Sequence, residues 1–237
     1  MVGYNSGDDY EEKIYDICKD KKIIPLNFYR AGAAGNKSDI IFVHLGKEYN
    51  LEIKNMQNPD YGQKKLDYDL SKRVWSWVNE NDPISIMYTK LGLINNIDKN
   101  FIPIWYQKRR KVDGKYTSVP GKKYSLEDFK MDQSKFNYPL KKVPLETLFE
   151  YYSNKNTYYI QVEGSGFYHL KKDVANLNTP QFDGDISLRF RLKHAGHTKN
   201  PPHSCQFLGA LKLTKKPTKS KYNLEVVEGQ SFPKIQN

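Results

Sequence analysis

The stretch SDIIFVHLGKEYNLEIKN, Ser38 to Asn55, decides the fold. The apolar run at 40–43 before Gly46-Lys47 and the alternation of Tyr49, Leu51 and Ile53 with polar residues after it read as two strands. Glycine at the first central position suits a type II′ hairpin turn, so Leu45 is expected to face Glu48 and Asp39 to face Lys54. Glu52 then shares the face of Asp39 and Lys54, because side chains two apart along a strand point the same way. Directly opposed Cβ atoms lie about 4.5–5.5 Å apart and diagonal neighbours about 7–8 Å, so two carboxylates and an ammonium converge on a small space. The other face carries Ile40, Phe42, Tyr49, Leu51 and Ile53, an apolar surface fit to pack on helices.

Upstream, Ser6 is a good N-cap, and residues 8–21 place Tyr10, Ile14, Ile17 and Cys18 on one stripe behind a run of acids, which predicts a first helix. A Gly/Ala loop follows over 31–36. Downstream, Leu66, Leu70, Val74, Trp77 and Val78 recur every three or four residues, which predicts a helix over 63–79 with Lys64, Lys65, Lys72 and Arg73 on its wet side. Trp75 and Trp77 are core candidates. Residues 84–88 and 101–106 read as strands, 107–123 as an exposed basic hairpin around Asp113-Gly114, and Pro144 opens a short helix containing Leu148, Phe149 and Tyr152. Paired strands are expected at 158–163 and 166–170. Residues 186–193 alternate throughout, with Ile186, Leu188, Phe190 and Leu192 on one face and Ser187, Arg189, Arg191 and Lys193 on the other. A polar loop over 194–204 leads to a partner strand at 206–213, and a Lys/Pro/Ser linker from 214 precedes a last strand at 222–227. The whole predicts an α/β fold in one domain, 1–237. A mixed central β-sheet flanked by helices carries the catalytic core in 1–106, and 107–237 supplies an elaborated C-terminal β region.

The 237 residues hold 38 Lys plus Arg against 27 Asp plus Glu, a formal net charge of +11, which points to a polyanionic partner. Aromatic residues make up 14%, which excludes disorder as the main state. No apolar stretch approaches the ~18–20 residues a bilayer span needs. The N-terminal residues lack a basic segment followed by an apolar one, and Cys18 and Cys205 are too few for a disulfide framework, so a cytoplasmic location is expected. The Lys-, Asn-, Ile- and Tyr-rich composition suits an AT-rich microbial or viral genome. Only six basic residues are arginines, so their positions matter: lysine supplies diffuse attraction, while the fixed guanidinium fork reads a guanine edge.

Two carboxylates and a lysine at one end of a hairpin make a site for a hard divalent cation. Mg²⁺ prefers oxygen ligands, keeps several waters and completes its shell with substrate phosphate oxygens. Such an ion would neutralise a scissile phosphate and lower the pKa of a water, with Lys54 orienting that water or stabilising the developing charge. The chemistry expected is metal-assisted phosphodiester hydrolysis.

Asp39 with Glu52-Ile53-Lys54 resembles the Asp…Glu-x-Lys signature of the PD-(D/E)xK nucleases, with Ser38 in place of the usual Pro. Residues 159–164, 166–170, 182–185 and 189–193 resemble the C-terminal half of small type II restriction endonucleases. The resemblance implies a restriction-endonuclease-like fold and an Mg²⁺-dependent endonuclease that hydrolyses double-stranded DNA at a short sequence. A DNA methyltransferase of the same restriction system is the implied functional partner, and a homodimer is one assembly that suits a symmetric site. Asp39 and Glu52 are implied as metal ligands and Lys54 as the group assisting the attacking water. The family also carries a first-helix Glu near the metal or its waters; Glu11, on the inward stripe, is the candidate and Glu12 the alternative. DNA-binding candidates are Lys37, Ser38 and Asn55 beside the acids, Lys64, Lys65 and Arg73, the pair Arg109 and Arg110, and Arg189, Arg191, Lys193, His194 and His197.

Each assignment has a structural alternative. Asp39, Glu52 and Lys54 could be a cross-strand salt bridge of small worth, and Glu11 an acid that complements a helix dipole. The arginine row and the run at 108–111 could be solvated faces. His194, His197, His203 and Cys205 offer a zinc-ligand set whose spacing matches no common module, against polar DNA-contacting loop residues. For the whole chain the rivals are a structure-specific or modification-dependent nuclease with the same core, such as a junction resolvase or repair enzyme, and a non-catalytic DNA-binding module.

Overall fold

The computed structural model describes residues 6–25, 27, 38–55, 60–136, 139–194 and 205–236. Lys37, His197, His203 and the expected loop at 31–36 lie outside them, as does the loop beyond His194, whose own side chain is not described. In chain order the elements are α1 (Ser6–Asp20), β1 (Ile40–His44), β2 (Lys47–Lys54), β3 (Asp60–Asp69), β4 (Val74–Trp77) and α2 (Pro83–Lys90). There follow α3 (Ile104–Gln107), β5 (Arg109–Val112), β6 (Lys115–Ser118), α4 (Leu126–Phe136), β7 (Pro139–Val143) and α5 (Glu146–Ser153). The last are β8 (Thr157–Val162), β9 (Gly166–His169), β10 (Asp185–His194) and β11 (Cys205–Lys215). This is a mixed α/β chain with two compact units, the first from Met1–Pro59, Val143–Ile186 and Leu213–Asn237 and the second from Asp60–Lys142 and Ser187–Lys212.

The first unit is built on a mixed sheet in the order β1-β2-β8-β9, in which β1–β2 and β8–β9 pair antiparallel and β2–β8 parallel. The hairpin turns one residue earlier than expected. Leu45 and Gly46, at φ 49° and 72°, are its two central residues, as in a type I′ turn, and Ile40 pairs with Leu51. The type I′ twist matches the strands, and Leu45 accepts the left-handed backbone to provide it. Partners shift by two positions, an even number, so the faces stay as read. Ile40, Phe42, Leu51 and Ile53 are buried against Tyr10, Ile14 and Cys18 of α1, while Ile17 is partly buried at the edge of that core. Ile160 and Val162 of β8 are also fully buried, and α5, with Leu148 and Tyr152, contacts that strand.

The segment expected as linker and last strand is neither. Its ordered turns are tied to the sheet: Ser220 N–H donates to Ser165 O, Phe167 N–H donates to Tyr222 O, and Asn223 and Leu224 are buried. Tyr222 makes only an isolated bridge, to Ser231. Gly166 permits this closure, because a Cβ there would run into the Tyr222 carbonyl.

In the second unit, five strands run in the order β4-β3-β11-β10-β7, beside the two-stranded hairpin β5-β6 around Asp113-Gly114. The expected helix over 63–79 is instead the β3–β4 hairpin, with Leu66 opposite Trp77 and Tyr68 opposite Trp75. Leu70, Val74 and Val78, which completed the helical spacing, are exposed. Asp69 closes the turn by accepting from the backbone N–H groups of Ser71 and Lys72. Residues 84–88 are helical, not extended, because Asp82 caps α2 by accepting from Ile84 N–H and Ser85 N–H, with Pro83 at the first helical position. The expected strand at 101–106 contains the short α3, whose first N–H groups, on Ile104 and Trp105, donate to the buried Asp132. α4 was not expected; Ser125 and Asp128 cap it reciprocally. β10 buries Ile186, Leu188, Phe190 and Leu192 as read. Trp75 stacks among Phe101, Phe136 and Phe207. Among the described residues no helix is long and apolar enough to cross a membrane.

Candidate active site

The site lies where β1 and β2 meet at the start of one strand and the end of the other. The register that sets Ile40 opposite Leu51 brings Asp39 opposite Glu52, with Lys54 on the diagonal, correcting the expected Asp39–Lys54 opposition. The Lys54 ammonium is paired with Glu52 and lies 3.8 Å from Asp39 Oδ2, so one cation serves both acids. The three side chains are 20%, 9% and 17% exposed for Asp39, Glu52 and Lys54, which is screened from bulk water yet open to a ligand.

Backbone groups fix the acids. Asp39 precedes β1, and its Oδ2 accepts from Ile53 N–H at 2.8 Å, supplying the partner that the strand edge lacks there. Lys54 Nζ also donates to Ile53 O at 3.1 Å. On the far side β2 is pinned by β8, with Glu52 beside Ile160 and Lys54 beside Val162, and Glu163 N–H donates to Lys54 O. Strand β8 is tied in turn to α1: the fully buried Gln161 donates to Tyr10 Oη at 3.1 Å, and Tyr10 donates to Glu225.

Burial raises the Asp39 carboxyl well above the usual carboxylate range; the Glu52 charge adds to this, Lys54 opposes it, and Glu11 contributes further. The charge of Glu11 is felt at Asp39, and Glu11 is half-buried where Glu12 is exposed. Two carboxylates and the Ile53 carbonyl form an all-oxygen donor set, which fits a hard divalent cation such as Mg²⁺. Among the described residues no group of three or more His, Cys, Asp or Glu is placed around one point, so such an ion would take its remaining ligands from water and substrate.

Ser38 and Asn55 flank the acids: Ser38 Oγ donates to Asn50 Oδ1 at 3.0 Å, and Asn55 is half-buried after β2. The remaining described candidates belong to the second unit. Lys64 pairs with Asp82 at 2.6 Å, Lys65 is exposed, and Arg73 is exposed at φ 55° in the β3–β4 turn. Arg109 stacks 4.6 Å over Trp105 and binds Ser118, while Arg110 is exposed. The row on β10 is not the bare cationic face expected. Arg189 and Arg191 both bind Asp60, and Lys193 donates to Gln63 Oε1 at 2.8 Å. Sequence reasoning missed Asp60, because nothing local marks an acid whose partners lie some 130 positions away.

No protein-family model matches the chain, and no curated protein matches it. Among solved structures, a chain described as HhaI endonuclease in complex with DNA is similar, with a TM-score of 0.46 and 11% sequence identity, covering 88% of this chain and 92% of that chain.

Proposed function

We propose that the protein is an Mg²⁺-dependent endonuclease that hydrolyses phosphodiester bonds of double-stranded DNA at a short sequence, in the manner of a type II restriction enzyme. The observation that carries this reading is the largely buried triad in which one lysine ammonium serves two strand-end carboxylates. Asp39, Glu52 and the Ile53 carbonyl would hold the metal, which when bound neutralises the scissile phosphate and acidifies a water. Lys54 orients the attacking water and balances negative charge as it develops on the phosphate. Asp39 is kept in register by Ile53 N–H, so the nucleophile and phosphate meet a fixed rather than a mobile carboxylate. Glu11 acts behind Asp39 as a positioning charge. The lysine-rich surface supplies sequence-independent attraction to phosphate.

A surface salt bridge would be worth little and would not be embedded in this way. The test is digestion of an unmodified plasmid with Mg²⁺, with the ends mapped by sequencing. Discrete fragments ending at one motif are expected. The Lys54→Ala variant should lose at least about 10²-fold in cleavage rate while binding duplex nearly as well. Full cleavage by that variant overturns the assignment, cutting confined to branched or modified DNA favours the structure-specific rival, and binding without nicking favours a non-catalytic module.

A further inference from the structure

Within the second unit, one acid organises the arginines of β10. The Asp60 side chain is 1% exposed, and its Oδ2 accepts from Arg189 Nη2 at 3.0 Å and from Arg191 Nη1 at 2.6 Å. Strand β11 lies between β3 and β10, so the pairs reach across roughly 9–10 Å of sheet, two strand spacings. A short acid with long guanidinium arms suits that span.

The arrangement is poor as a stabilising ion pair. A guanidinium and a carboxylate pair best through two parallel hydrogen bonds that use both oxygens. Here a single oxygen serves two cations, while Asp60 Oδ1 and Arg189 Nε are buried with no hydrogen-bond partner among the described residues. Lys193 stands in the same group, so three cations gather about one anion. The excess positive charge calls for an external acceptor. Arg191, 34% exposed, is open to one.

We propose that Asp60 is a positioning residue that holds Arg189 and Arg191 as an oriented pair for reading guanine edges in the major groove of duplex DNA. Phosphate contacts tolerate mobile lysines, of which this chain has many, whereas bidentate contact with guanine O6 and N7 needs a fixed guanidinium plane. The inference rests on the DNA-directed part of the proposed function and not on its hydrolytic part.

The test selects duplexes from a pool with a randomised centre, using the full-length protein in EDTA so that nothing is cut. Wild type should enrich guanine at fixed positions. Asp60→Asn should bind random duplex as tightly or more tightly, since a negative charge is lost, yet its discrimination at those positions should fall about tenfold or more. Arg191→Lys should lose discrimination at the same positions while keeping its charge, and it carries the test if melting curves show that Asp60→Asn does not fold. Undiminished guanine preference in the folded variants, or a wild-type motif without guanine, overturns the role of Asp60. Guanine selection that Asp60→Asn weakens, in a protein whose wild type cuts nothing in Mg²⁺, upholds Asp60 and overturns the hydrolytic reading instead.

Discussion

Asp39 stands under opposed demands at the scale of a single residue. The proposed metal site needs its charge, while burial and the Glu52 carboxylate push its pKa up, with Lys54 only partly offsetting them. A carboxyl whose pKa is raised by folding favours the folded state below its ordinary value of 3.8, and that contribution is lost as the pH climbs toward neutrality. Asp39→Asn removes the buried charge. In EDTA its Tm should therefore match wild type near pH 4 and exceed it by about 2–4 °C or more at pH 8. Thermal melts at the two pH values check this, and a gap that does not widen with pH would show that the charge is not under strain. The same substitution should abolish cleavage, so stability gained and activity lost would appear in one protein. The triad was readable because its members lie on one hairpin, where alternation fixes the face. Asp60 was not readable, because its significance arises only when β3 and β10 enter one sheet.

The elements that the sequence conceals are those where two patterns coincide. Leu66, Leu70, Val74 and Trp77 fit a helical stripe, yet they also suit a hairpin in which Leu66 and Trp77 face each other and the other two sit in or beside the turn. Asp69 and the pairing partner β11 decide between the two, and only the first leaves a local trace. At α2 the Asn-Asp-Pro run was the overlooked capping signal. The β1–β2 hairpin was legible in its faces but displaced in its turn, since an apolar Leu45 gives no hint of a left-handed backbone. That residue is 68% exposed at φ 49° and gains nothing from being leucine. Leu45→Asn, which restores a favoured type I′ pair with Gly46, should raise unfolding stability by about 0.5–1 kcal/mol. Chemical denaturation should report the gain, with cleavage unchanged because the strand register is unchanged; a loss of stability would mean that Leu45 makes a contact of its own.

For the molecule as a whole, the net charge of +11 should make the proposed DNA affinity a function of salt. The logarithm of the binding constant should fall steeply and linearly with the logarithm of salt concentration, and Arg110→Ala, which removes an exposed cation, should flatten the slope by about 1 without altering the cleavage motif. A titration over a range of salt concentrations measures both, and an unchanged slope would remove the β5–β6 hairpin from the interface. The parallel pairing of β2 with β8 has a consequence for synthesis. Thr157–Val162, the strand that braces Asp39, Glu52 and Lys54, leaves the ribosome about a hundred residues after them, and the turns that Gln161 and Tyr10 tie down come later still. Closing the chain over that distance costs entropy before the β2–β8 contacts can offset it. A chain synthesised only as far as β7 therefore carries the acids without the brace, and the arrangement is complete only once β8 and the turn at Glu225 have also emerged.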